Sequence, residues 1–280
     1  MSRRPQRLRE PGQHAHGAGP ALRLERPAQA AAQEAHCVLL YQDEAYLTDA
    51  IAAWAEAGLR AGEGVVLVAR GNVCDAVRTW LKQAGMDPIA FELTGRLRML
   101  DADRTLRLFM VGGMPQANLF ANVAAPLIED VRKASPAGQV RAWGEMVDLL
   151  WKRAQGPAAV LLERLWNDLI ATSGFRLFCA YQADAFDALQ YPKIRAVTAS
   201  HGLLLPAEDE ARLTLAVETA LNDLYGPEAD AVRAFLGPGP TGMPPSFHRL
   251  LALHDLAPEF GALLAARAGQ VYHAPRPGAP

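Results

Sequence analysis

The sequence predicts an α/β protein with three layers, a mainly parallel sheet with helices on both faces, followed by a helical C-terminal segment. Three observations lead there. Apolar runs of strand length alternate with segments of helical period from residue 36 to about residue 181. GVVLVA, residues 64 to 69, is apolar at every position, as in a parallel strand covered on both sides. Beyond about residue 205 only helical patterns continue.

Residues 1 to 35 are rich in Arg, Pro, Gln, Ala and Gly and show no period, so a disordered leader is expected. HCVLLY (36 to 41) reads as the first buried strand, turning into a helix at Gln42-Asp43-Glu44. That helix spans 43 to 61, with Leu47, Ala50, Ile51 and Trp54 on one stripe, and Gly62 ends it. After the strand at 64 to 69, a second helix covers 72 to 84 and stops at Gly85. LRML (97 to 100) is a third strand, and Asp101 suits the cap of the helix that follows. Helices are expected over 104 to 111 and 116 to 134, broken at Gly112-Gly113-Met114-Pro115. VRAWGEMVDLL (140 to 150) is a strand running into a helix, with Glu145 placed in the strand part. A helix over 157 to 172 and the strand FRLFCAY (175 to 181) complete the alternating part. A strong helix over 207 to 226 and shorter ones near 228 to 236, 245 to 254 and 258 to 268 make the tail, with PGPTGMPP (238 to 245) as a hinge. The divisions are therefore 1 to 35, 36 to 205 and 206 to 280.

Composition narrows the function. Half of the 280 residues are hydrophobic, enough for a sizeable core, and the net charge is −2. A near-neutral chain argues against a direct nucleic-acid or membrane-surface role. No apolar run reaches the roughly 18 residues that a membrane helix needs. Three cysteines, Cys37, Cys74 and Cys179, lie far apart without metal-ligand spacing, which fits free thiols in a reducing cytoplasm. No cofactor, metal or catalytic group is expected from these patterns.

The first strand-to-helix turn carries the sharpest signal. In nucleotide-binding α/β domains it holds a glycine loop whose N–H groups cradle phosphate. Here it holds Asp43 and Glu44 and no glycine, and no GxxxxGK[ST] occurs anywhere in the chain. Two carboxylates at a helix start suit its dipole and repel polyphosphate. Ligands of open α/β sheets settle beyond the carboxyl ends of the strands. The candidate ligand-binding residues there are Tyr41, Gln42, Glu145, Trp151, Cys179, Tyr181 and His201. Cys179 lacks an evident base for nucleophilic chemistry, since His36 is expected at the opposite end of the sheet, and no catalytic residue is assigned.

Six dispersed motifs then come together: HCVLLYQDEAYL, the Gly62-Glu63-Gly64-Val65-Val66 approach to the second strand, RLRMLDADRTLRLFM, RAWGEMVDLLW, LERLWNDL and FRLFCAYQADAF. In this order they resemble the MEDS domain, the methanogen/methylotroph sensory domain also found in a dichloromethane-responsive repressor, over roughly residues 36 to 205. The resemblance implies a RecA/KaiC-type fold without its phosphate loop. It also implies sensing of a small organic ligand in prokaryotic signalling, with interest at His36, Tyr41, Glu145, Trp151, Trp166, Asn167, Cys179, Tyr181 and His201. The stretch VTASHGLLLP keeps His201 but has Thr198 where the family commonly has cysteine and Leu203 where a second histidine is common. That departure speaks against a thiol or metal role in this stretch.

The expectation is thus a cytoplasmic, non-enzymatic small-molecule sensor or regulator. One alternative is an interaction module whose C-terminal helices bind a kinase or transcription regulator or self-associate through residues 206 to 236. A second is a divergent RecA/KaiC-type nucleotide-binding protein.

Overall fold

A computed structural model describes residues 34 to 275. The leader expected over residues 1 to 35 lies, except for Glu34 and Ala35, outside the described residues.

A six-stranded sheet runs through the molecule in the order β3-β2-β6-β7-β1-β8, with every pairing parallel. Its strands are β1 (His36–Tyr41), β2 (Gly64–Ala69), β3 (Leu97–Asp101), β6 (Val140–Gly144), β7 (Arg176–Gln182) and β8 (Leu203–Leu205). β1, β2 and β6 are buried along their full length, which explains their unbroken apolar runs. Successive side chains separate to two faces. Leu39, Leu67, Trp143 and Phe178 pack under α1 (Glu44–Arg60) and α2 (Gly71–Gln83). Val38, Val66, Ala142 and Cys179 pack under α5 (Ala117–Ala134), α6 (Met146–Lys152) and α7 (Gly156–Ser173). The result is the expected three-layer α/β architecture.

Caps set where the helices begin. The Asp43 side chain accepts from Ala45 N–H and starts α1; Asp101 accepts from Arg104 N–H and starts α4 (Ala102–Arg107). A short helix, α3 (Pro88–Leu93), uses Asp87 in the same way. α4 ends sooner than its periodicity suggests. Residues 110 to 115, expected as helix end and break, form a hairpin of β4 (Met110–Val111) and β5 (Met114–Pro115). Gly112 and Gly113 adopt φ 58° and 81°, the left-handed pair that a two-residue hairpin turn requires. Glu145 is not a strand residue: β6 ends at Gly144, and Glu145 is the residue that leads into α6.

After β7 come α8 (Tyr191–Thr198) and the edge strand β8, both too short for a periodic signal. The chain then turns all helical: α9 (Glu210–Tyr225), α10 (Ala229–Leu236), α11 (Pro245–Leu256) and α12 (Pro258–His273). Leu213, Val217, Leu250, Leu264 and Ala268 join the same core as β7 and α7, so these helices are built onto the sheet domain. Phe186, just beyond β7, packs against Tyr272 of α12 with ring centroids 5.0 Å apart. The segment before α11 is held at the sheet edge: Leu204 N–H donates to Gly242 O at 2.7 Å. Among the described residues no helix is long and apolar enough to cross a membrane.

Candidate functional site

The chain diverges between β2 and β6. β2 leads outward to β3, and β6 leads the other way to β7, so their carboxyl ends flank a topological switch point. Two residues close this crevice. Glu145 Oε2 accepts Arg70 N–H at 2.6 Å, and Oε1 accepts Arg70 Nε–H at 2.5 Å. Glu145 N–H in turn donates to Val68 O at 2.9 Å.

The pair continues into a network across the sheet mouth. Arg70 meets Glu44 at 3.4 Å; Lys152 meets Glu44 at 3.2 Å and Asp148 at 3.1 Å. Tyr41 OH donates to Asp148 Oδ2 at 2.6 Å, and Lys152 Nζ donates to Tyr41 OH at 2.8 Å. Burial and the Asp148 carboxylate push the Tyr41 phenol well above its ordinary pKa. Burial alone would raise the Glu44 carboxyl, but Lys152 and Arg70 outweigh it and hold it below the usual range. Three carboxylates (Glu44, Glu145, Asp148) thus face two cations. A polyphosphate would have to displace these ion pairs and enter against net negative charge.

Gln42 lies apart from this network. It donates to Asp184 Oδ1 at 2.9 Å and lines a cavity of about 480 Å³ beyond the ends of β1, β7 and β8. The far wall comes from the helical segment: Arg212 of α9 and Tyr272 and His273 of α12. Asp43, Glu208 and Asp209 give it an acidic side. Trp151 is elsewhere again. It packs edge-on against Tyr181 at 5.0 Å and lines an apolar groove of about 620 Å³ with Met114, Val160 and Leu161.

Cys179, Tyr181 and His201 converge at a fourth place, beneath α7. Cys179 and Tyr181 are two apart on β7 and face the same side. Both address a residue that sequence reasoning missed, Glu163 of α7, which is 1% exposed. Tyr181 OH donates to Glu163 Oε1 at 2.6 Å, and Cys179 Sγ lies 3.8 Å from Oε2. His36 starts β1, yet its ring reaches this group: Nε2 lies 3.3 Å from Glu163 Oε2 and 3.5 Å from Cys179 Sγ. His201 Nε2 lies 3.5 Å from Glu163 Oε1, and the two imidazole centroids are 4.1 Å apart. Burial lowers His201 to a pKa of about 4, so its ring is neutral. Burial, followed by the Glu163 charge, raises the Cys179 thiol well above its ordinary value.

The seven expected residues therefore do not surround one cavity. They divide among the ion network (Tyr41, Glu145), the cavity (Gln42), the groove (Trp151) and the Glu163 cluster (Cys179, Tyr181, His201). A signal for Glu163 was available. Glu163 and Asn167 stand four apart, so they share a face of the helix, and that face is buried against β1 and β7.

Fold and site together define a parallel α/β domain whose β2–β6 crevice is closed by its own side chains, with a polar cluster under α7 and cavities elsewhere. Residues 35–202 match the family described as MEDS: MEthanogen/methylotroph, DcmR Sensory domain, and the chain belongs to that family. It thus carries a sensory domain. Comparisons with curated proteins and with solved structures found no match.

Proposed function

We propose that the chain is a cytoplasmic, non-enzymatic regulatory protein that responds to a small organic molecule bound in the cavity beside Gln42. The observation that carries this reading is the cavity's double wall. One side is built by the ends of β1 and β7 in the sensory domain, the other by α9 and α12. A ligand that binds better when these walls are in one arrangement shifts the population toward it. The volume suits a small molecule. The acidic side formed by Asp43, Glu208 and Asp209 favours a neutral or cationic ligand over a polyanion.

The test is a thermal-shift screen of neutral and cationic small organic compounds on the full chain, repeated on Gln42→Ala and Tyr272→Ala. A hit whose shift disappears in both variants, while Trp151→Ala retains it, supports the cavity. A shift unchanged in both variants refutes it.

A second reading, output through a protein contact, is favoured by Leu215, Leu224 and Phe235. These are 65%, 41% and 76% exposed on α9 and α10. If the chain self-associates through residues 206 to 236, Leu215→Asp with Phe235→Asp turns an oligomer into a monomer by light scattering. A mass unchanged by these substitutions removes that reading.

A further inference from the structure

The structure assigns a zinc-class transition-metal site to His36, Glu163, Cys179 and His201, a role distinct from the ligand cavity and independent of it. One donor atom from each residue falls within 4.8 Å of the others. In a tetrahedral zinc site, with bonds of about 2.0 Å to nitrogen or oxygen and about 2.3 Å to sulfur, neighbouring donors of a set with one sulfur stand about 3.3 to 3.5 Å apart. The contacts of His36 with Glu163 and Cys179 are 3.3 and 3.5 Å, of Cys179 with Glu163 3.8 Å, and of His201 with Glu163 3.5 Å. The set therefore needs little rearrangement to close on one ion.

The surrounding hydrogen bonds decide which atoms are offered. His36 Nδ1 faces Asn167 Oδ1 at 2.9 Å, and the amide is oriented because its Nδ2 donates to Ser200 O at 2.9 Å. His201 Nδ1 faces Val197 O at 2.8 Å. Both partners are carbonyl oxygens and accept only, so each Nδ1 carries a proton and each Nε2 is the ring atom left facing the cluster. The two Nε2 atoms face a carboxylate and a sulfur, each of which can also ligate a transition metal. His201 Nε2, in a side chain with no exposure, makes no hydrogen bond of its own. A histidine that gives its far N–H to a carbonyl oxygen and a carboxylate fixed by a hydroxyl, here Tyr181, are the supports that metal ligands use.

Two nitrogens, one oxygen and one sulfur suit zinc over magnesium or calcium, which take oxygen donors. Four protein ligands leave no open position, so the site holds structure together and does not catalyse. It would tie β1, α7, β7 and the approach to β8 to one point. A cavity of about 330 Å³, lined by His201, Thr198, Pro240 and Met243, lies beside the site on the side of the hinge. The cysteine comes from β7 and the second histidine from β1, and this is why the motif around His201 alone did not show the site.

The test uses the full chain, stripped of metal by chelation and titrated with Co²⁺ and then Zn²⁺. The expected result is one Co²⁺ per chain, with a near-ultraviolet thiolate-to-cobalt band that equimolar Zn²⁺ removes. Cys179→Ser loses the band, and His201→Gln weakens Co²⁺ binding at least about tenfold. Zn²⁺ also raises the melting temperature of the stripped wild type, which keeps the test decisive if a variant fails to fold. Absence of stoichiometric Co²⁺ or Zn²⁺ binding by the folded wild type overturns the assignment. So does binding that persists unchanged in both variants.

Discussion

Arg70 closes its backbone N–H and its guanidinium onto the two carboxylate oxygens of Glu145, at 2.6 and 2.5 Å, across the crevice between β2 and β6. The position that an open α/β sheet gives to a ligand is thus taken by an internal ion pair. Glu145 is 1% exposed while Arg70 is 29% exposed, so the pair is wet on one side only. Glu145→Ala strips two charge-assisted hydrogen bonds and leaves the part-buried Arg70 N–H without its partner. A loss of about 2 kcal/mol in urea unfolding is expected, since Arg70 can still reach water and Glu44. The same variant gains no affinity for nucleotide, as checked by titration with MgATP, because Glu44 and Asp148 remain.

At the other end of the sheet Glu63 accepts from Arg141 Nε at 2.5 Å and pairs with Arg176, while the Arg141 guanidinium lies 4.3 Å over the Trp54 ring. Both members of the first pair are almost wholly buried. Glu63→Gln leaves Arg141 charged and unmatched in the core and is expected to cost about 3 kcal/mol, read as a lower urea midpoint at unchanged slope. Arg141→Met fills the same space without a charge, but it leaves Glu63 only Arg176.

Alkaline pH should weaken the fold through tyrosines. Burial pushes up both Tyr41 and Tyr191; Asp148 adds to the first, and Asp184 with Asp187 to the second. Their folded pKa values lie above the unfolded value of about 10. The folded state therefore keeps protons that the unfolded chain releases. The associated stability is fully present below about pH 10 and falls as pH rises above it. Unfolding free energies measured across that range should decline with pH, and Tyr41→Phe should make the decline shallower.

Gly242 holds φ +82° with a would-be Cβ 1.9 Å from Gly202 O, next to His201 at the edge of β8. Gly242→Ala combines left-handed strain with a backbone clash. A loss of at least about 1 kcal/mol is expected, with hydrogen exchange quickening first around residues 202 to 205. An unchanged exchange pattern there would mean that the hinge does not hold this edge.

Much of the sheet was legible because period and composition agree in it. GVVLVA is a strand by every criterion, and Asp43 and Asp101 cap where their positions suggest. The hairpin at 110 to 115 was hidden because two residues per strand carry no period. β8 escaped for the same reason. The absence of a phosphate loop could be read directly. The ion network that closes the crevice could not, since Arg70, Glu145 and Lys152 meet only through the β2–β6 crossing. His36 was expected at the far end of the sheet. It does begin its strand, yet its side chain turns onto the face that Cys179 occupies one strand away. Glu163 sits in an apolar helix where the leucines dominate the pattern, so only its four-residue spacing from Asn167 pointed to it.

On the proposed reading a ligand enters between the sheet and the C-terminal helices and leaves the Arg70–Glu145 crevice shut. Hydrogen–deuterium exchange on the full chain, with and without a thermal-shift hit, tests it most directly. Protection of residues 40–46, 207–212 and 268–273 together is expected, with residues 69–74 and 143–149 unchanged. Protection confined to 69–74 and 143–149, by such a compound or by MgATP, would contradict it.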